Sequence, residues 1–584
     1  MFLKHKNVPF YEPCQEIPLK KLDKWRYLDM TTRVRLKSAS FRVIIVGCVF
    51  GALFCLILGR LFQLTIIDYH GRDYTKPMGS SYALTRYNIL DRNGILLASS
   101  VPTTDLSVNP AVVRDVKEDP HEIARKIANA LNDVDEKDVF AAITSTRGFE
   151  YIKRKLSPVE RNNINWLGYQ FLSDFPGEYR TYPHRNLVSH ILGGVDIDNV
   201  GIAGIEKAYD QQLMHQNVNL SIDVSVQEMV RNALISGLNK FKAQAALALV
   251  MDINNGEILA SVSLPDYNPN VPARGKPGNE RFNQATLGTY EFGSIFKLFN
   301  TALGLESKTI TVNSVFDTTK PFKIGRKYIT DYRGQARPLT VPEILIHSSN
   351  IGSAQIGLKI GQEKQQEFFE RLGFYDKLPL ALPERGTTQY NKKAKWADME
   401  SATLSYGYGI SVTPLHLIAA VASLANGGIY RVPTFIKDGN QNQVETRIID
   451  EKLSQVMRHL MWAVVNYELP KDSPVALYAV GGKTGSANLI DKKGKYIEGR
   501  LRTTFVGAFP MTDPKYIVLV SYTDPQKVPE TKMFNAAGWN AKATGLQIIG
   551  DIAPYLGVEP VTDWEQPAYI TRAFELSRAA KKGH

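Results

Sequence analysis

The longest uninterrupted apolar run of the chain lies near its N-terminus. Residues 43–59 read VIIVGCVFGALFCLILG, 17 residues without a charged side chain. A run of this length is at the short end of what a membrane-spanning helix needs, and Leu61-Phe62 extend it past Arg60, whose side chain can reach the interface. The pattern predicts one transmembrane helix over 43–63. A cleaved signal peptide is the alternative, but the run starts late, is long for such a segment and lacks an A-x-A-like site behind it.

From 64 to 220 the pattern changes to short strands and helices. Residues 87–90 and 95–98 predict two strands joined by an Asn93-Gly94 turn. Apolar residues recur at helical spacing over 121–132. Nothing in this region resembles a catalytic constellation. We therefore predict a mixed α/β domain without catalytic residues of its own.

The remainder alternates apolar strands with longer helices. Residues 218–223 predict a strand that leads into a helix at 224–239, and the domain boundary is placed between 220 and 221. Two apolar runs around Ile253-Asn254-Asn255 predict a hairpin. Further helices are predicted at 296–305, 341–360, 364–372 and 413–425, and late strands at 503–509 and 516–523. This mixture predicts an α+β domain.

Composition limits the number of domains, the possible disulfides and the possible cofactors. A chain of 584 residues is too long for one ordinary domain, and 44% apolar residues suffice for sizeable cores. The three cysteines are Cys14, Cys48 and Cys55, so no disulfide framework can exist beyond residue 55. No cluster of metal-ligating residues is visible, and neither a metal nor another cofactor is predicted.

The charge is uneven and predicts the orientation of the chain. Of the net charge of +12, much lies in residues 1–42, which hold ten lysines and arginines against four acidic residues. The positive side of a span faces the cytoplasm, so 1–42 is predicted to be a cytoplasmic tail and the chain after about residue 65 to lie outside. A basic tail can also bind nucleic acid, but the adjoining apolar run makes topology the better interpretation. We predict no nucleic-acid partner.

Candidate chemistry begins at Ser294 and Lys297. Three residues apart, they share one face of a helix, so their side chains can meet. A serine hydroxyl is a poor nucleophile near neutral pH, and a lysine with a lowered pKa can act as the base that activates it. Gly293 allows a tight turn just before the serine. An isolated S-x-x-K match is nevertheless weak, because both residues are common on solvated helices.

Two further motifs give this match its weight. Ser348-Ser349-Asn350 supplies S-x-N, and Lys483-Thr484-Gly485 supplies K-T-G, followed by Ser486. The order S-x-x-K, S-x-N, K-T-G is typical of penicillin-binding proteins and serine β-lactamases. Three short motifs in this order rarely arise by chance.

With these motifs placed, the chain resembles the class B penicillin-binding proteins, and within them the division-specific, FtsI-type branch. The resemblance extends over nearly everything after residue 42. Besides the motifs it rests on Arg60-Leu61-Phe62-Gln63-Leu64, Asp91-Arg92-Asn93-Gly94, Arg180-Thr181-Tyr182-Pro183, Gly204-Ile205-Glu206, Arg281-Phe282-Asn283, Ser405-Tyr406-Gly407-Tyr408-Gly409 and Asn426-Gly427-Gly428. Phe292 departs from the proline common in the family, and Ser486 from the threonine.

The resemblance implies a serine-type D,D-transpeptidase that cross-links peptidoglycan stem peptides ending in D-Ala-D-Ala and is inhibited covalently by β-lactams. Ser294 is then the nucleophile and Lys297 its base. Ser348 relays a proton to the leaving amine, and Asn350 holds Lys297 and the substrate amide.

In the same family pattern Lys483 lies on a strand edge, where its charge orients Ser348 and attracts the substrate carboxylate. Thr484, Gly485 and Ser486 complete the substrate-binding strand. Backbone N–H groups of Ser294 and Ser486 would form the oxyanion hole.

The resemblance also implies an organisation and partners. The partners are an FtsW-type glycan polymerase and other division proteins, at the cytoplasmic (inner) membrane. The implied segments are a basic cytoplasmic tail (1–42), a transmembrane helix (43–63), a pedestal of the dimerisation type (64–220), a transpeptidase domain (221–575) and a basic C-terminal tail (576–584).

Three alternatives remain. A β-lactamase shares the motifs, but no E-x-x-L-N pattern for a deacylating glutamate lies between Asn350 and Lys483. An elongation-specific class B relative shares all of them. A non-enzymatic scaffold or β-lactam sensor is the third; the intact motifs argue against a scaffold, and 42 residues are few for a folded output domain.

Overall fold

The computed structural model describes residues 30–62, 86–271, 278–390, 397–440, 445–470, 472–491, 493–561 and 563–582. The chain divides into two units, Met1–Ser81 and Tyr82–His584. In the first, helix α1 (Met30–Phe62) contains the predicted apolar helix as far as Phe62, while residues 1–29 of the predicted tail lie outside the described residues. Across the described residues, no helix meets the length and apolarity that a membrane crossing requires.

The second unit begins with the pedestal, which is built on a five-stranded sheet. Its elements are β1 (Ile89–Leu90), β2 (Leu96–Val108), α2 (Pro110–Val113), α3 (Pro120–Ala130), α4 (Glu136–Ile143), β3 (Glu150–Leu156), α5 (Pro158–Leu167), β4 (Leu172–Thr181), α6 (Ser189–Leu192), β5 (Gly194–Val195), β6 (Gly201–Ala203), α7 (Gly204–Ala208) and β7 (Val218–Asn219). Strand β2 is central, since both β3 and β4 pair with it antiparallel.

The predicted Asn-Gly hairpin joins β1 to β2. Gly94 has φ +85°, and the Asp91 carboxylate accepts hydrogen bonds from the N–H groups of Asn93 at 2.8 Å and Ile95 at 2.7 Å. The turn also contacts the next domain, because Asn93 donates to Asp223 at 3.0 Å, at the N-terminus of the following helix. The family motif at 91–94 therefore joins two parts of the unit.

A buried ion network explains two other motifs of the pedestal. Arg180 donates to one carboxylate oxygen of Glu206 at 2.7 Å, and Arg86 contacts the other oxygen at 2.7 Å. Arg86 also pairs with Asp210 at 2.7 Å. Arg86, Arg180 and Glu206 are almost completely buried. Glu206 is thus the anion that two buried guanidinium groups share.

Replacing Glu206 with glutamine should strongly destabilise the pedestal. Removing one partner of a buried pair leaves uncompensated charge and costs about 3–5 kcal/mol. The measurement is the free energy of unfolding in urea. Glu122→Gln is the matched control, because its pair with Arg125 is half-exposed and such pairs contribute about 1 kcal/mol or less. Similar small losses in both variants would contradict the central role of Glu206.

The catalytic part contains a second five-stranded sheet, in the order β16-β17-β18-β8-β9. Its strands are β8 (Ala245–Asp252), β9 (Ile258–Leu264), β16 (Gly481–Ile490), β17 (Tyr496–Phe509) and β18 (Tyr516–Thr523). Short strands between them are β10 (Val315–Phe316), β11 (Phe322–Ile324), β12 (Lys327–Ile329), β13 (Leu339–Thr340), β14 (Ile429–Tyr430) and β15 (Thr446–Arg447). All pairings within the large sheet are antiparallel, and β16 is an edge strand.

Helices cover both faces of this sheet. They are α8 (Val224–Lys240), α9 (Phe296–Glu306), α10 (Val341–Ile346), α11 (Asn350–Ile360), α12 (Gln362–Arg371), α13 (Asp398–Leu404), α14 (Pro414–Ala425), α15 (Glu451–Asn466), α16 (Ala541–Tyr555) and α17 (Ala568–Lys582). Apolar residues of α8 and α16 form one core with the sheet, and those of α9, α14 and α15 form the other. The α+β architecture of the prediction is confirmed.

One predicted helix differs from the structure. The helix predicted over 341–360 is broken at His347–Ser349, since α10 ends at Ile346 and α11 begins at Asn350. Ser348 has φ +55°, which a helix cannot accommodate, and Ser349 caps α11 by accepting the N–H of Gly352 at 3.0 Å. The predicted C-terminal tail is helical through Lys582, and Ser577 is fully buried. The domain boundary at 220/221 stays a prediction.

Candidate active site

Ser294 lies in a single turn of 3₁₀ helix, Gly293–Ile295, directly before α9. Gly293 has φ +53°, and a Cβ atom there would come within 2.7 Å of the carbonyl oxygen of Ser486. Only glycine suits this position, because it accepts both the left-handed backbone and the close approach of β16. The tight turn predicted before the serine is present and holds Ser294 against the edge strand.

Lys297 connects the first two motifs. Its side chain is completely buried, yet the amine has four oxygen atoms within hydrogen-bonding distance. They are Ser294 Oγ at 2.8 Å, the Ser348 carbonyl oxygen at 2.7 Å, Asn350 Oδ1 at 2.7 Å and Ser348 Oγ at 3.2 Å. The predicted contact between Ser294 and Lys297 is therefore present.

The break between α10 and α11 lets the S-x-N motif also contact the K-T-G motif. With its positive φ, Ser348 presents Oγ to Lys483, whose amine donates to it at 3.1 Å. The hydroxyl of Ser348 thus lies between the two lysines. Asn350 is also fully engaged in this structure, since its Nδ2 donates to the carbonyl of Thr330 at 3.1 Å.

The K-T-G stretch occupies the start of β16, as predicted for an edge strand. Lys483 is buried, while Thr484 and Ser486, two residues apart, lie on one face of the strand and are partly exposed. Ser486 Oγ accepts the backbone N–H of Ala537 at 3.1 Å. Gly485 packs so closely on the turn that a Cβ would meet the Phe292 carbonyl oxygen at 2.1 Å. The structure therefore brings the three motifs together: Lys297 and Lys483 both contact Ser348, and β16 packs on the turn that carries Ser294.

Burial dominates the electrostatics of both lysines. Burial lowers the pKa of Lys297 well below its ordinary value, and the nearby Lys483 ammonium lowers it further, whereas Asp331 raises it. Burial also lowers the pKa of Lys483 to about 7, with a smaller lowering from Lys542. Burial therefore favours the neutral form of both amines, and the Lys483 ammonium adds to this effect at Lys297.

Asp331 is a site residue that the sequence motifs do not reveal. Its carboxylate accepts from Ser349 Oγ at 2.7 Å and from the N–H groups of Asn350 at 2.5 Å and Ile351 at 3.0 Å. It thereby caps α11 and fixes the S-x-N turn, and its charge favours the N-terminus of that helix. No periodicity marks this aspartate, which follows β12.

Asp331→Asn should slow β-lactam acylation about tenfold and lower the free energy of unfolding by about 1–3 kcal/mol, because the amide cannot accept all three bonds. Stopped-flow labelling and urea unfolding measure the two effects. Asp317→Asn is the control: Asp317 also accepts a backbone N–H, but in an exposed turn. Unchanged acylation in Asp331→Asn would show that the S-x-N turn holds its shape without the carboxylate.

Two protein-family descriptions match the part of the chain that contains this site. The penicillin-binding protein transpeptidase domain matches residues 246–544, and the penicillin-binding protein dimerisation domain matches residues 83–232.

The chain belongs to the class B penicillin-binding proteins. A probable peptidoglycan D,D-transpeptidase FtsI of Caulobacter vibrioides is 31% identical over 92% of this chain and 90% of its own length. The peptidoglycan D,D-transpeptidase FtsI of Escherichia coli is 28% identical over 82% and 86%, and the stage V sporulation protein D of Bacillus subtilis 28% over 81% and 79%.

The fold is also shared with a solved structure. A peptidoglycan synthetase from Bifidobacterium adolescentis superposes with a TM-score of 0.64 at 20% identity, over 83% of this chain and 97% of that one. As a class B penicillin-binding protein, the chain is a peptidoglycan D,D-transpeptidase. Among the residues the structure describes, no group of three or more histidine, cysteine, aspartate or glutamate side chains is placed to hold a metal ion.

Proposed function

We propose that this class B penicillin-binding protein cross-links stem peptides at the division septum through an acyl-enzyme on Ser294. The observation that carries the chemistry is the 2.8 Å contact between Ser294 Oγ and the fully buried amine of Lys297. Burial and the neighbouring ammonium lower the pKa of that amine, which favours the neutral form that can serve as a base. This pairing turns an ordinary hydroxyl into a nucleophile.

In the acylation step, Ser294 Oγ attacks the carbonyl carbon of the penultimate D-Ala as Lys297 takes the hydroxyl proton. Backbone N–H groups of Ser294 and Ser486 stabilise the oxyanion. The C–N bond then breaks. The terminal D-Ala leaves with a proton relayed through Ser348, whose Oγ is 3.2 Å from Lys297 and 3.1 Å from Lys483.

In the second step, the amine of a neighbouring stem attacks the ester and loses a proton to the same relay. The ester C–O bond breaks, and Ser294 Oγ regains its proton. The energy for the new peptide bond comes from the one that was cleaved. Lys483, Thr484 and Ser486 hold the carboxylate of the donor peptide or of a β-lactam. Lys483 is suited to this because an anion stabilises its charged form. A β-lactam inhibits covalently because Ser294 Oγ attacks its carbonyl carbon and the lactam C–N bond breaks.

The division role is supported by the two FtsI relatives. An FtsW-type glycan polymerase and other division proteins are the corresponding partners. Elongation is the competing role. Depletion of the protein followed by microscopy should give filaments; round cells would assign it to elongation instead.

The apolar stretch of α1 supports a membrane anchor. Large apolar side chains from Ile44 to Leu58 are exposed on the helix, as expected for a segment that contacts lipid. With the basic segment 1–42 on the cytoplasmic side, the catalytic part lies outside. A periplasm-specific reporter fused after residue 230 should be active and one fused at residue 30 inactive; the reverse pattern would overturn this topology.

A further inference from the structure

A carboxylate outside the three motifs lies beside the nucleophile. Glu291 precedes Ser294 by three residues and is 7% exposed. Its Oε1 accepts the backbone N–H of Gly409 at 2.7 Å and the hydroxyl of Tyr496 at 3.0 Å. Its Oε2 is buried without a hydrogen-bond partner among the described residues. One side chain thus joins three segments that are far apart in sequence.

The first of these segments is the loop 405–409, which rests directly on the nucleophile turn. Gly407 has φ +85°, and a Cβ there would lie 2.1 Å from the carbonyl oxygen of Gly293. The N–H of Gly293 donates to the Gly407 carbonyl at 3.3 Å. Any shift of this loop is therefore transmitted to the residue before Ser294.

The second segment is the hairpin at the end of β16. Tyr496 pairs with Ile490, and the register of β16 and β17 shifts between Asn488 and Leu489. Beyond this shift Leu489 and Ile490 still pair with Ile497 and Tyr496, but β17 pairs with β18 only from Arg502 on, so the two strands of the hairpin pair with each other alone. Tyr496 instead contacts Tyr408 edge to face, with ring centroids 5.6 Å apart, and reaches Glu291 with its hydroxyl.

We infer that Glu291 is a positioning residue for acylation: it connects the hairpin and the loop 405–409 to the nucleophile turn and so holds the contacting rings of Tyr408 and Tyr496 in place. The inference rests on the proposed acyl-transfer function. Glu291 does not touch the reacting atoms in this structure. Its effect is exerted through Gly409 and Tyr496.

The charge of Glu291 provides a signature for this role. Burial raises the pKa of Glu291, and the bonds from Gly409 and Tyr496 oppose that rise. The titratable groups that face it are Tyr408 on the loop and Tyr496 on the hairpin, and burial raises the pKa of both phenols. Within this group, Glu291 is therefore the one that gains a proton as the pH falls.

The test uses the full-length chain in detergent and the second-order rate of acylation by a fluorescent penicillin. Tyr496→Phe and Glu291→Gln should each lower this rate about tenfold, as expected for the loss of a hydrogen bond to a charged group. The double variant should be no slower than the slower single variant, because both changes act on the same interaction between Glu291 and Tyr496. Tyr328→Phe, an exposed tyrosine elsewhere, should match the wild type.

Two further readouts separate positioning from general damage. The ratio of wild-type to Glu291→Gln rates should shrink toward acidic pH, where the wild-type carboxylate becomes neutral as well. Trypsin should cut several-fold faster at the exposed Lys493 and Lys495 of the hairpin tip in Tyr496→Phe.

A pH-independent ratio, or multiplicative losses in the double variant, would overturn the inference. So would wild-type rates in both single variants. Failure of the proposed function looks different, because the wild type itself would then form no adduct.

Discussion

Ser294→Ala should form no covalent adduct with penicillin. The variant removes the single hydroxyl that lies 2.8 Å from the buried amine of Lys297, and deleting a nucleophile typically costs a factor of about 10⁶ in rate. Mass spectrometry of the purified full-length chain incubated with penicillin measures the result. In the wild type, one adduct should appear, on the peptide that contains Ser294.

Ser307→Ala is the matched control for this experiment. Ser307 follows the other end of α9, and its hydroxyl donates to the carbonyl of Leu303 at 2.7 Å. This variant should label like the wild type. An adduct on a different residue, or a labelled Ser294→Ala chain, would refute Ser294 as the nucleophile.

Lys297→Arg and Lys483→Arg should differ sharply in acylation. Arginine stays protonated in proteins and so cannot act as a base. Lys297→Arg should therefore lose about 10²- to 10⁴-fold in rate, the usual contribution of general-base catalysis. Lys483→Arg should keep measurable acylation, because the proposed task of this residue is electrostatic. Equal losses would mean that the two roles are not divided in this way.

The pH profile sharpens this comparison. The second-order rate reports ionisations of the free enzyme, and burial lowers the pKa of Lys483 to about 7. If a charged Lys483 captures the carboxylate, the wild-type rate should fall as pH rises through about 7. Lys483→Arg should lack this alkaline fall, because its guanidinium remains charged. At acidic pH both enzymes should slow as Lys297 gains a proton. If the rate of Lys483→Arg also falls at alkaline pH, this fall arises from a group other than Lys483.

The sequence predicted the motifs, most long helices and strands and the contact of Ser294 with Lys297. These follow from local spacing: three residues separate serine and lysine, and apolar periodicity marks the helices. The break at His347–Ser349 was missed because the stretch 341–360 is helix-compatible throughout. The structure shows that Ser348 leaves the helix to place its hydroxyl between two lysines.

Contacts between distant segments could not be predicted from the sequence. Asp331 caps a helix that begins beyond an intervening strand and another helix, and no pattern links the two positions. Ser577 is a second example: its hydroxyl is 2.8 Å from His347 Nε2, although the two residues are 230 positions apart in the sequence. From the sequence, Lys483 was predicted to carry a positive charge. The structure adds that burial lowers the pKa of this lysine to about 7.

The edge position of β16 has a consequence for solution behaviour. An unpaired strand edge can template pairing with a strand of another chain, which leads to aggregation. Here the Ser294 turn covers part of that edge through the close contact of Gly485 with the Phe292 carbonyl, and the hairpin at its far end carries Lys493 and Lys495. Exposed lysines oppose edge-to-edge association. Variants that displace this turn should therefore lose solubility together with activity.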